Sequence, residues 1–182
     1  MGILTERDIA LELQTIFQRL QATRTSLLDT IADLSRAQLN AKREQPSGWS
    51  ICEVCQHLAK TEQLYVLVIK KALKSDENAN TPQRSLDFLL DRSRKLEAPE
   101  IARPTDEILD RDELVDRLNR SRRQLDELLG QLADPSILSK KHAVHPVFQE
   151  MLLIDWIKSL YLHEQRHIDQ IKEMMEQGHP FA

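Results

Sequence analysis

Leu152–Met174, LLIDWIKSLYLHEQRHIDQIKEM, decides how the rest of this 182-residue chain is read. Apolar residues recur at Leu153, Trp156, Ile157, Leu160, Ile168, Ile171 and Met174, in the steps of three and four that mark one face of an α-helix. His163 and His167 fall on that face, where further apolar side chains are expected. Four residues apart, they lie one turn above each other. Imidazoles turned toward an interior are either hydrogen-bonded there or ligate a metal.

Three earlier segments carry the same period. A first helix is expected over about Arg7–Ser35, with Ile9, Leu13, Ile16, Phe17, Leu20, Leu27, Ile31 and Leu34 on its stripe and a polar step at Thr23–Arg24. A loop punctuated by Pro46, Ser47 and Gly48 follows. Ser50 and Glu53 then form a capping box that opens a second helix to about Lys74. Its stripe runs through Val54, Leu58, Thr61, Leu64, Tyr65, Val68 and Ala72, and His57 sits three residues after Val54, pointing inward or at the edge of the interior. Between Ser75 and Leu109 the pattern breaks at Asn78, Asn80, Pro82, Pro99 and Pro104. This predicts a long crossover with one short helix over SLDFLLDRSRKL, and excursions of that length are usually functional or cover something. Asp110 and Glu113 make a second capping box for a third helix to about Leu132, lined by Leu114, Leu118, Ser121, Leu125, Leu128 and Leu132. Asp134 and Pro135 end it. Ser136–Glu150 reads as a loop carrying His142, His145 and Pro146, and Gly178 with Pro180 should stop the fourth helix. The expectation is all-α: a four-helix bundle in one domain, with a long crossover between helices two and three.

Composition narrows the function. Charges of both signs with a net of -4 and no basic block argue against nucleic acid or an anionic membrane surface as partner. Only four glycines and 4% aromatics suit a helical bundle better than a sandwich or doubly wound sheet. The opening MGILTERDIALELQ is amphipathic rather than a signal peptide, Glu6 stands against a myristoylation motif, and no apolar run is long enough to span a bilayer. A soluble, cytoplasmic protein is expected.

The histidines carry the chemistry. His57, His163 and His167 could supply three neutral imidazoles to one ion from two facing helices, leaving the open position typical of catalytic sites. The competing explanation is three hydrogen-bonded core histidines. Cys52 and Cys55 have Cys-x-x-Cys spacing, but zinc knuckles come in pairs and a redox pair expects a βαβ context, so they read as small buried residues. His142, His145 and His179 read as solvated loop or tail histidines. Arg120, Arg122, Arg123 and Asp126 read as a solvated face, and Trp49 and Trp156 as core or loop anchors.

These motifs resemble a known pattern. Gly48-Trp49-Ser50-Ile51, Glu53, Gln56-His57-Leu58 and Glu62 resemble the second-helix motif of the DinB-like superfamily, in its DinB-2 branch. His145-Pro146-Val147-Phe148, His163-Glu164-Gln165-Arg166-His167 and Gln170-Ile171 are similar to its last-helix motif, and Ala98-Pro99-Glu100 with Arg103-Pro104-Thr105 to its crossover. Gln149 and Met151 depart from it, standing where members often have Gly and Thr. The resemblance implies an up-up-down-down-like bundle and a divalent metal ion, zinc or nickel, held by His57, His163 and His167. It implies a small-molecule substrate and either thiol S-transfer, with a low-molecular-weight thiol such as bacillithiol or mycothiol, or metal-dependent hydrolysis. A homodimer is implied as well. Glu62 and Gln170 are candidates for orienting the imidazoles, and Arg166 for reaching an anionic substrate. The alternative is a stress-related metal-binding or interaction module of the same fold without catalysis.

Overall fold

The computed structural model describes residues 6–42, 48–77, 81, 85–93 and 97–176. The expected stop at Gly178 and Pro180, the tail His179 and much of the Pro46–Gly48 loop lie outside them. Among the described residues five α-helices form: α1 (Glu6–Ile31), α2 (Arg36–Asn40), α3 (Ile51–Ala72), α4 (Arg111–Gly130) and α5 (Leu153–Glu176). The four long ones are the expected bundle. Both expected capping boxes are present, Ser50 with Glu53 on α3 and Asp110 with Glu113 on α4. Each satisfies two backbone N–H groups that the first turn would leave without partners.

The apolar residues fall into two clusters. One gathers Leu13, Ile16 and Leu20 of α1 with Ile69 of α3, Leu125 of α4 and Ile157 of α5. The other gathers Leu27 and Ile31 with Val54, Leu118 and Ile171. The first half of α1 therefore sits beside the first half of α5 and the second halves of α3 and α4. In chain order the helices run up, down, down, up. This corrects the up-up-down-down expectation: only α3 and α4 are consecutive and parallel, so one long crossover is enough. α3 packs chiefly on α4, and α1 chiefly on α5.

A layer of charge separates the two apolar halves. Arg24, Glu62, Arg122 and Glu164, one from each long helix, are all at most 5% exposed. Arg24 donates to Glu164 at 2.8 Å and to Glu62 at 2.9 Å, while Arg122 donates to Glu62 at 2.6 Å and to Glu164 at 3.1 Å. Thr23 and Ser121 add hydroxyl donors to Glu164 and Glu62, each at 2.5 Å. The third nitrogen of each guanidinium reaches a carbonyl, Leu118 for Arg24 and Leu20 for Arg122. Burial alone would raise the Glu62 pKa, but the Arg24 and Arg122 charges and the Ser121 hydroxyl bring it below the ordinary value. The polar step at Thr23–Arg24 is thus this layer, and Arg122 is interior rather than on a solvated face.

The connections depart from expectation in three places. The first helix ends at Ile31, because Ser35 and Gln38 form a capping box that starts α2, whose Leu39 is fully buried. Asn40 then exchanges hydrogen bonds with the backbone of Leu109 at the entry to α4. Within the crossover, the described part of the expected short helix, residues 85–93, holds one 3-10 turn, Asp87–Leu90. The Asp91 carboxylate takes the Ser93 N–H just after it, an Asx turn that competes with helix continuation. A second 3-10 turn spans Glu100–Ala102. The segment expected to loop into the last helix contains a 3-10 turn, Pro135–Ser139, and an antiparallel hairpin of β1 (His142–His145) and β2 (Gln149–Leu152).

Gln149, paired with His145 across that hairpin, has φ 63°. A side chain in the left-handed region is strained by roughly 1–2 kcal/mol, and glycine is not. Gln149→Gly is therefore expected to stabilise the fold by about 0.5–1 kcal/mol after glycine's larger unfolded-state entropy, and Gln149→Val to destabilise it. Urea unfolding midpoints of the three proteins check this; a lower midpoint for the glycine variant would contradict it.

Candidate metal centre

His57, Thr61 and Tyr65 recur every fourth residue on α3 and therefore share a face. That face meets the seam of α5 that carries Ser159, His163 and His167. The Nε2 atoms of His57 and His163 are 3.1 Å apart, as are those of His163 and His167. The rings pack edge-to-face, with centroids 4.5–5.1 Å apart. His57 is buried, and the other two are half-buried.

The far nitrogens fix the tautomers. His57 Nδ1 donates to the Ala102 carbonyl at 2.7 Å, and His167 Nδ1 donates to Gln170 Oε1 at 2.7 Å. Both Nε2 atoms therefore present bare lone pairs. They face His163 Nε2, which can offer one hydrogen at most. Burial holds all three imidazoles below the usual histidine range, His167 down to about 3, so they are neutral at pH 7. One hydrogen cannot satisfy two facing lone pairs, whereas a cation among the three nitrogens satisfies all of them. Two nitrogens bound to one ion at about 2.0–2.1 Å stand about 3 Å apart, which the 3.1 Å separations match. No Cys, Asp or Glu among the described residues joins this group. The donor set is three neutral nitrogens.

The Ala102 carbonyl is held where it is by the crossover's attachment to α3. Gln56 Oε1 accepts from the Thr105 N–H and hydroxyl, its Nε2 donates to the Glu107 carbonyl, and Lys60 donates to the Arg103 carbonyl. Arg166 performs the matching task on α5, donating to the carbonyls of Leu89 and Asp91. Trp49 closes one side of His57, with ring centroids 5.2 Å apart.

The candidate positions thus separate. His57, His163, His167 and Gln170 come together. Glu62 touches no imidazole, because the two arginines take its carboxylate. Arg166 is occupied with carbonyls and is 7% exposed, so it holds the crossover instead of facing a ligand. Cys52 and Cys55 are fully buried free thiols, and burial pushes Cys55 up to about 12. That suits packing rather than reactivity.

His145 is not a solvated loop histidine. It is 8% exposed, stacked on Phe148 at 4.2 Å, and its Nδ1 accepts from the Val147 and Phe148 N–H groups. Nε2 therefore carries the hydrogen and donates to the Tyr65 hydroxyl at 2.9 Å. Tyr65 in turn donates to Ser159 at 3.1 Å, and Ser159 to the Trp156 carbonyl at 2.7 Å. The sequence signals for this hydrogen-bond chain are the inward stripes that carry Tyr65 and Trp156, the four-residue spacing of Ser159 from His163 and the His145–Phe148 motif. His142 is also partly buried, against Glu150 at 2.7 Å.

Residues 19–171 match the DinB superfamily, and the chain belongs to it. It is 31% identical over 145 residues to the uncharacterized protein YuaE of Bacillus subtilis (strain 168), covering 79% of this chain and 86% of that protein. Two solved structures share the fold. YfiT from Bacillus subtilis, described as a probable metal-dependent hydrolase with an unusual four-helix bundle topology, superposes with a TM-score of 0.62 at 18% identity, over 97% of this chain and 91% of its own. The four-helix bundle protein TT2238 gives 0.58 at 20% identity, over 87% and 96%. Among the described residues no helix is long and apolar enough to cross a membrane.

Burial pushes His145 down to about 4 in the folded chain, against about 6.5 when unfolded. Its contribution to stability is complete above the unfolded value and is lost as pH falls from about 6.5 to about 4, at up to about 1.4 kcal/mol per pH unit. His145→Asn, whose carbonyl can still accept the backbone N–H groups, should show a shallower loss between pH 7 and pH 5. Equal slopes for the two proteins in urea unfolding would contradict this.

Proposed function

We propose that His57, His163 and His167 hold a divalent cation, zinc or nickel, and that the chain is a metal-dependent enzyme acting on a small molecule. One observation carries this reading: His163 Nε2 lies 3.1 Å from the Nε2 atoms of both His57 and His167, while the Nδ1–H groups of those two are committed elsewhere. A cation bound there would act as a Lewis acid with an open position, keeping a water or a thiol deprotonated near neutral pH.

The chain's own residues prepare that position. The Ala102 carbonyl and Gln170 hold two rings in the ligating tautomer and make their nitrogens better donors. Neutral imidazoles leave the cation its full charge, which favours an anionic nucleophile over a neutral one. The crossover and Trp49 restrict water on the His57 side. YfiT's description supports hydrolysis, and the family resemblance supports transfer of a low-molecular-weight thiol to an electrophile. Both use the same site, and they differ only in the nucleophile admitted.

Protein purified without a histidine tag should contain about one divalent ion per chain, with at least a tenfold lower content in His57→Ala. A chelator should lower the melting temperature of the unaltered protein and leave that of the variant unchanged, and returning zinc or nickel should alter Trp49 fluorescence. Equal metal content in the two proteins would overturn the site. Metal-loaded protein inert toward both ester or amide substrates and thiol–electrophile pairs would overturn the enzymatic reading alone.

A further inference from the structure

The buried charge layer lies close to the three-histidine cluster in both helices that carry it. Glu62 is five residues after His57, and Glu164 directly follows His163. The arginines come from the two helices that supply no histidine. Glu62 and Glu164 are joined only through them, each carboxylate accepting from both Arg24 and Arg122. We propose that the Arg24–Glu62–Arg122–Glu164 quartet positions the histidine cluster by fixing the register of α3 against α5.

The packing leaves this task open. α3 rests mainly on α4, and α5 mainly on α1, so the seam where the histidines meet is not the one with the broadest contact. Leucine and isoleucine layers tolerate small sliding and rotation, whereas a planar guanidinium accepts a carboxylate only in a narrow set of directions. A slip of one residue moves a helix about 1.5 Å and turns its side chains by about 100°. That would remove Glu164 from both guanidiniums and swing His163 off the seam. The cross-links to the Leu118 and Leu20 carbonyls tie α1 to α4 in the same way, so all four helices are referenced to one plane. Stability alone would not call for such a layer, since buried ion pairs are often matched or exceeded by apolar replacements of similar volume.

The consequence for metal binding rests on the proposed cation site, while the register claim stands apart from it. The test compares the unaltered protein with the four-site variant Arg24→Met, Glu62→Leu, Arg122→Met, Glu164→Leu. Nitroxides at Leu67→Cys and Lys172→Cys report the α3–α5 distance by dipolar spectroscopy, and Leu67→Cys with Arg123→Cys reports α3–α4 as a control. The buried Cys52 and Cys55 stay unlabelled in the folded protein. The expected result is a helical variant melting near or above the parent, with a broadened or displaced α3–α5 distribution and an unchanged α3–α4 distribution. Cobalt affinity should fall about tenfold or more, with an altered visible spectrum. An unchanged α3–α5 distribution, or equal broadening of both pairs, would overturn the proposal. If the four-site variant does not fold, Glu62→Asp decides, because it keeps the charge and shortens the reach: a displaced α3–α5 distribution supports the proposal and an identical one overturns it. A parent that binds no cobalt defeats the cation site and leaves the distance measurements to decide the register.

Discussion

Two guanidiniums shared between two carboxylates hold the middle of this bundle. Every long helix contributes one charge, the four charges cancel, and each is at most 5% exposed. Removing one partner would strand the others among buried groups, so the four residues act as a unit. The two apolar clusters lie on either side, and the histidine seam borders the layer on α3 and α5. The fold can be described as two small apolar cores separated by one oriented polar plane.

That plane also explains how far the sequence could be read. Helical period and capping boxes identify α1, α3, α4 and α5 because local signals and tertiary packing agree there. The inward placement of His57, His163 and His167 follows from the same period. Arg24 and Arg122 do not reveal themselves in this way. A lone arginine in an otherwise apolar stripe looks like a polar interruption, and one among Arg120, Arg122 and Arg123 looks like a charged surface. Only the partner helices show that the two are internal, and those partners are 38 to 140 residues away in the chain.

The hairpin and the start of α2 were hidden for different reasons. Four-residue strands carry too short an alternation to stand out, and Gln149 occupies a backbone conformation that usually announces itself as glycine. Ser35 and Gln38 do form a capping signature, but it follows a long helical stripe whose period continues through Leu34. In both cases a short local element was outweighed by the pattern beside it. His145 is hidden in the same way, since a four-residue strand reads as a loop.

The hydrogen bond from His57 to the Ala102 carbonyl has a consequence for how such proteins diverge. The group that orients the ring belongs to the main chain, so no particular side chain at position 102 is needed to supply it. Many replacements there would preserve the contact as long as the crossover keeps its path, and a change that diverts the path would remove it even with Ala102 intact. What is inherited at that point is a route of the backbone rather than an amino acid. Comparison of residue identities among relatives would pass over it, and comparison of chain paths would find it.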